Sequence, residues 1–412
     1  MHLIVTILIL LVVAKIAGEI MERFRQSSMM GEIMAGIILG PSVLALASPS
    51  NELNAIADIS IFLLVFIAGL EMKMDDIRIA IKSGSVFVGG LGFIIPFFLG
   101  IFVSLSFGQD IIASIFIGLC ISITALPVAI RILMDLGMLN SKIGKMLIAS
   151  VITDDVTAIV ILSIVLRVGS SSDPFAGLVD ALLVLLKVFA FVSIILLVDK
   201  IITKQSKKLV MPIPIALRKV LAFLRGKESL FGITILSVLL FAGIAEWLGL
   251  HFVVGTFFGS LLLSRDILGK KNFESVERAA SQVTFGFLAP IFFVYIGLNF
   301  ALNSLTNIPF VAVILIISIA GKVLGGFSGG KLANLSNKDG LVLGIGMNGR
   351  GIMELVVASI GYTNGLIDVS IFSTLVLMAI VTTMITPILL KQAFAKTSIW
   401  TKYIKTRKKE WD

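Results

Sequence analysis

The chain has 412 residues, 58% hydrophobic and 14% charged, with a net charge of +9 and a mean hydropathy of +1.08. Soluble domains carry about 25% charged residues, so this composition excludes one and predicts an all-α polytopic membrane protein. The single cysteine, Cys120, lies inside an apolar run and excludes an internal disulfide.

Thirteen apolar segments of spanning length or near it are expected: 2–18, 31–47, 53–71, 85–107, 111–134, 143–166, 175–197, 230–248, 252–264, 283–302, 309–326, 341–361 and 367–390. No basic region precedes the first, which reads as an uncleaved span rather than a signal peptide. Most Lys and Arg residues fall in the odd-numbered loops or the C-terminal tail, whereas the even loops hold Arg167 alone. Positive loops stay cytoplasmic, so the N-terminus is expected outside and the C-terminus inside. The basic excess is then topology and attraction to anionic lipid, not a nucleic-acid surface. The longest loop, 199–229, is expected in the cytoplasm, with 215–224 lying as an interfacial helix. Residues 391–412 read as a short basic tail with no soluble domain after the last span.

An internal repeat is visible. Segment 3 contains IFLLVFIAGLE from Ile61 and segment 10 contains IFFVYIGLN from Ile291; segments 2 and 9 carry GxxxG pairs at Gly36/Gly40 and Gly255/Gly259. Both pairings are seven segments apart. Seven is odd, so the copies are expected to face opposite ways, as in inverted-repeat secondary transporters. Repeat one is placed at about 31–166, a linker helix at about 175–228 and repeat two at about 252–390. Segment 4 then pairs with 11, 5 with 12 and 6 with 13.

Segment 6 reads SVITDDVTAIVILSI from Ser150 and carries Asp154 and Asp155 deep in the membrane. An ionised carboxylate there costs about 2.5–3.5 kcal/mol on insertion scales, and adjacent carboxylates raise each other's pKa. Something must compensate the pair: a cation, a proton or a lysine. The competing structural reading is a buried polar pair that only joins helices. The two acids point 100° apart on a helix, so one can meet a fixed charge while the other faces a water cavity; Ser150 and Thr157 share the face of Asp154. Lys322, in SIAGKVLGGFSGG of segment 11, is the fixed charge expected; the alternative is that it snorkels to the cytoplasmic side.

Segments 5 and 12 are expected to be broken near mid-membrane. Segment 5 contains SITALPVAI from Ser122, where Pro127 lacks an N–H and clashes with the carbonyl of Ile123, and Leu126 is pushed out of the helical region. Segment 12 contains GIGMNGRGIMEL, with Gly349 and Gly351 beside Arg350. Freed carbonyls and half-helix ends can then face a cation; the competing reading is an ordinary proline kink. Thr124, in the interrupted stretch, joins Asp154 and Asp155 as a candidate cation- and proton-binding residue. Arg350 and Glu354, spaced i, i+4, are expected to pair, neutralising half-helix ends or each other. Lys15 is expected to snorkel, Lys187 is deep with Asp180 as its only nearby acid, and His251 reads as a structural residue at a tight outer turn. Asp58 and Glu246 also lie within or near spans.

GEIMAGIILGPSVL from Gly31, FIAGLEM from Phe66, SITALPVAIRIL from Ser122, Asp154–Asp155, PIFFVYIGL from Pro290, Lys322 and MNGRGIMEL from Met347 follow one another from segment 2 to segment 12. This ordered set resembles the monovalent cation:proton antiporter family, in its second branch of sodium/hydrogen exchangers with a two-aspartate motif. The resemblance implies a core domain moving against a dimerisation domain, a homodimer, alternating access and two crossing broken helices. It further implies that Asp155 binds the cation or proton, that Asp154 pairs with Lys322, and that exchange is electrogenic. Thr153 departs from the commoner Ile. The potassium-efflux branch, with Gln before a single Asp and a nucleotide-binding domain, is disfavoured.

The leading expectation is therefore a Na⁺/H⁺ antiporter of a bacterial inner membrane, needing no cofactor and not an enzyme, with Na⁺, Li⁺ or K⁺, protons and lipid as partners. K⁺/H⁺ antiport, organic-ion transport and a cation channel are the alternatives; a channel would need a ring of carbonyls or charges around an open pore. An intramembrane aspartyl protease is disfavoured because its carboxylates must face each other, and adjacent residues on one helix diverge.

Overall fold

A computed structural model of the chain describes residues 3–24, 26–72, 84–136, 138, 141–168, 174–205, 227–263 and 268–395. The described residues are helical apart from turns and short extended stretches. In chain order the helices are α1 (Leu3–Arg23), α2 (Ser28–Leu39), α3 (Asn51–Glu71), α4 (Ser85–Ser106), α5 (Ile111–Ser122), α6 (Leu126–Asp135), α7 (Lys142–Val168) and α8 (Pro174–Gln205). They continue with α9 (Lys227–Trp247), α10 (Phe252–Leu262), α11 (Lys270–Val283), a π-helical stretch (Thr284–Leu288), α12 (Ala289–Asn299), α13 (Ile308–Leu332), α14 (Asn337–Gly346), α15 (Ile352–Thr363) and α16 (Val369–Ala395).

Eight of the described helical stretches are long and apolar enough to cross a membrane, and α2 and α10 are shorter apolar helices. Segments 5 and 12 each divide into two helices, α5/α6 and α14/α15. Segment 2 ends at Leu39 rather than near 47, because Gly40 and Pro41 turn the chain and Leu44, Leu46 and Ala47 fold back to donate to Ile38 and Leu39. The interfacial helix expected at 215–224 and residues 396–412 of the tail lie outside the described residues.

Local chemistry sets the helix starts. The Ser50 hydroxyl accepts from the Leu53 N–H to begin α3, Asp110 accepts from Ile112 and Ala113 to begin α5, and Ser336 accepts from Asp339 to begin α14. Tertiary packing sets their arrangement. α4 lies along α13, close enough that a Cβ on Gly325 would stand 2.5 Å from the Leu91 carbonyl; only glycine permits that approach. α7 packs on α4 and α5, α14 on α13, α2 on α12, and α10 on α3. The crossing of the two broken segments falls among α4, α7, α13 and α16.

The Ser150 and Thr157 hydroxyls each donate to the carbonyl four residues before them, Met146 and Thr153, at 2.8 Å. Lys187 is exposed on the surface of α8. His251 begins α10, its Nδ1 accepting from the Val253 N–H at 3.4 Å. Burial pushes the His251 imidazole down to about 4.

Candidate functional site

The break in segment 5 lies at Ile123–Ala125, beginning at the residue whose carbonyl Pro127 was expected to disturb. Pro127 sits in the first turn of α6, and Leu126, expected outside the helical region, is its first residue. A proline in the first turn of a helix removes an N–H that has no partner there anyway. The break in segment 12 covers Met347 to Gly351. The two extended stretches touch through backbone: Ala125 N–H donates to the Gly349 carbonyl at 2.8 Å. A Cβ on Gly351 would stand 2.5 Å from the Ala125 Cβ, so this contact requires glycine.

Breaking α5 in apolar surroundings orphans the carbonyls of its last turn. Two buried cations answer them. Arg350 donates through Nη1 to the Cys120 carbonyl at 3.1 Å and also to that of Ile123, and through Nη2 to that of Ile121 at 2.5 Å. Lys322 Nζ donates to the Ser122 carbonyl. Both cations also oppose the negative end of the α5 dipole. At the end of α14 the Asn348 side-chain amide donates to the Gly344 carbonyl at 3.0 Å. Arg350 is held in turn by Thr383 on α16, which accepts from its N–H at 3.2 Å and lies 3.1 Å from its carbonyl.

The acids divide as helical geometry requires. Lys322 Nζ lies 2.6 Å from Asp154 Oδ2, and both side chains are fully buried. Lys322 therefore does not snorkel. Thr124 Oγ1 lies 2.8 Å from the same Asp154 oxygen and 3.0 Å from the Met347 carbonyl, so its one proton has two acceptors and the residue ties both breaks to α7. Asp155 is 3% exposed, and its Oδ1 accepts no hydrogen bond from the described residues. It lines a chamber of about 30 Å³ with Glu71, Ala125, Leu126, Phe285 and Ile352, room for about two water-sized particles. A second cavity, of about 320 Å³, shares Ala125, Phe285 and Ile352 with that chamber and extends to Lys15, Glu22 and Glu32.

The expected Arg350–Glu354 pair is present but loose, with Arg350 Nε 3.7 Å from Glu354 Oε2 and neither Glu354 oxygen hydrogen-bonded to a described residue. The guanidinium is spent mainly on the α5 carbonyls. The sequence pointed Arg350 at a half-helix end without naming the α5 carbonyls it meets, and it did not point to Ser122 as a partner of Lys322. The available signal was the break itself: a helix ending inside the membrane leaves carbonyls needing donors, and Arg350 and Lys322 were the buried donors at hand. The Lys15 ammonium, on a side chain 47% exposed, donates to the Phe285 carbonyl at 2.7 Å.

The architecture matches a solved structure over nearly its whole length. The sodium proton antiporter MjNhaP1 from Methanocaldococcus jannaschii, at pH 8, aligns with a TM-score of 0.71 at 17% identity, covering 95% of this chain and 96% of that one. In sequence, the chain is 28% identical over 390 residues to the Na(+)/H(+)-K(+) antiporter GerN of Bacillus cereus, covering 94% of this chain and 95% of GerN. It is 30% identical over 412 aligned positions to the Na(+)/H(+) antiporter NhaS4 of a Synechocystis strain, covering 93% of this chain and 95% of NhaS4. Residues 7–396 match the family described as "Sodium/hydrogen exchanger, transmembrane". With nearly the whole chain inside that match and the two broken segments crossing at a buried acid pair, the chain belongs to the sodium/hydrogen exchanger family.

Proposed function

We propose that the protein exchanges Na⁺ for protons across the membrane by alternating access, with Asp155 carrying the cation and the proton in turn. One observation carries the reading: each of the two adjacent buried acids leaves its Oδ1 unanswered by the described residues, but Asp154 is bound through Oδ2 by Lys322 and Thr124, while Asp155 lines a chamber. A carboxylate at that depth is too costly to stay charged alone. It takes a proton or a cation, and the two compete for one group. Lys322 and Arg350 compensate fixed charge and the half-helix end, and Glu354 supports Arg350.

The inverted repeat belongs to the same proposal and finds support in reciprocal packing. α2 packs on α12 as α10 packs on α3, and α1 on α2 as α9 on α10; these contacts exchange when segments seven apart are swapped. The ends carrying Arg23, Lys142 and Lys271 face the cytoplasm, supported by the positive loops, and the larger cavity, which shares lining residues with the Asp155 chamber, lies toward that side. The working unit is a homodimer in a bacterial inner membrane and the exchange is electrogenic, both following the family resemblance. K⁺ is the second cation considered, because the similar GerN is named for K⁺ as well as Na⁺.

The test is proton movement in proteoliposomes driven by a Na⁺, Li⁺ or K⁺ gradient. Asp155→Asn abolishes it while the protein still folds and inserts. Wild-type exchange by that variant removes Asp155 from the mechanism.

A further inference from the structure

The π-helical stretch between α11 and α12 creates an unusual acceptor. Pro290 has no N–H, so in a continuous α-helix the carbonyl of Gly286 would lose its donor. Here the Ala289 N–H donates to the Thr284 carbonyl, five residues back. In that register the partner of the Phe285 carbonyl would be Pro290, which has nothing to give. The vacancy moves to Phe285, whose carbonyl accepts instead from the Lys15 ammonium at 2.7 Å.

Lys15 Nζ also stands 3.9 Å from Oε1 of Glu32, a residue 5% exposed in the early turns of α2. A backbone carbonyl and a buried carboxylate thus converge on one monovalent cation, which happens to be an ammonium on a tether. The tether is loosely held, for the Lys15 side chain is 47% exposed. The site lies in the cavity of about 320 Å³ rimmed by Glu19 and Glu22, large enough for a partly hydrated alkali ion. Phe285 itself forms part of the wall shared with the Asp155 chamber.

We propose that Glu32 and the Phe285 carbonyl form an antechamber site for the transported monovalent cation, with Lys15 as its built-in competitor. A hard alkali cation prefers such oxygen ligands. It displaces the ammonium, waits one step from Asp155, and yields its place to Lys15 on moving inward. The inference rests on the exchange reading above and adds a binding site to it.

The test is the apparent KM for Na⁺ in proteoliposomes for wild type, Lys15→Gln, Glu32→Gln and Glu32→Asp, with Asp155→Asn as a control. Removing the competitor lowers KM, whereas removing the carboxylate raises it, each by about threefold or more, equivalent to ~0.7 kcal/mol. Glu32→Asp, which keeps the charge on a shorter stem, falls between wild type and Glu32→Gln. If the Lys15–Glu32–Phe285 contact is only a structural tie, Lys15→Gln and Glu32→Gln shift KM in the same direction or leave it unmoved, and both lower the melting temperature; that result overturns the antechamber. An Asp155→Asn protein that still exchanges Na⁺ overturns the exchange reading instead, whatever Lys15 and Glu32 do.

Discussion

Lys322 on α13 and Asp154 on α7 form a dry ion pair, Nζ to Oδ2 at 2.6 Å, in which neither side chain touches solvent. Each side has a further partner: the Ser122 carbonyl for Lys322 and Thr124 for Asp154. Such a pair is weak evidence for stability as a unit, because desolvating both charges offsets much of their attraction, but losing one partner strands the other. Lys322→Ala therefore lowers stability by about 3–5 kcal/mol, and Asp154→Asn added to it recovers part of the loss. Melting temperatures across the double-mutant cycle measure the coupling; additive effects would refute the pair.

Thr124 serves both broken segments with one hydroxyl. Thr124→Val keeps the shape and removes the donor, which costs about 1.5–3 kcal/mol for a hydrogen bond to a charged group. Thr124→Ser restores most of that stability. Thermal unfolding in detergent checks both; a Val variant as stable as wild type would mean that Asp154 does not depend on this hydroxyl.

Arg350 answers three carbonyls that a broken helix leaves behind. Arg350→Lys keeps the charge but not the planar fork, and each carbonyl left unanswered costs about 1–3 kcal/mol. Arg350→Lys is thus markedly less stable than wild type, while Glu354→Gln, whose carboxylate only approaches Arg350 loosely, is milder. The reverse order of melting temperatures would show that the ion pair, not the carbonyl fork, holds Arg350.

How much of this was legible in the sequence differs by residue. Asp154, Asp155 and Lys322 stood out because an ionisable group in an apolar run has few uses, and the 100° between adjacent helical residues already implied that one acid would face Lys322 and the other a cavity. Arg350 stood out too, but its partners were backbone atoms, and backbone leaves no trace in a residue pattern. Pro127 marked the break in segment 5, but Leu126, expected outside the helical region, begins α6, because a proline fits the start of a helix as well as it ends one. The antechamber was further from view, since whether Gly286 or Phe285 loses its donor to Pro290 depends on an i+5 register that no local signal announces. Spanning length was only partly readable, because short helices such as α2 and α10 are completed by packing on α12 and α3 rather than by their own sequence.

His251 separates a pH gate from competition at the acid pair. Its imidazole sits at the turn before α10, pushed down to about 4 by burial from an ordinary value of 6.5. The unfolded chain takes up this proton near 6.5 and the folded chain resists until about 4, so folding is favoured fully above that window and loses this contribution as pH falls through it. His251→Asn, which retains a capping side chain, removes the loss: its melting temperature exceeds that expected from the wild-type trend below about pH 6. Its transport pH profile stays that of wild type. A shifted transport profile would make His251 part of the gate.

The proposed exchange turns on one carboxylate, Asp155, that a proton and a cation occupy in turn. Na⁺ uptake measured across pH in symmetric buffers tests it most directly, because the two ligands exclude each other. The apparent KM for Na⁺ is expected to rise as pH falls, while saturating Na⁺ restores the maximal rate at moderately low pH by mass action. A KM that stays constant with pH while the maximal rate collapses would contradict it, and would move pH control away from Asp155.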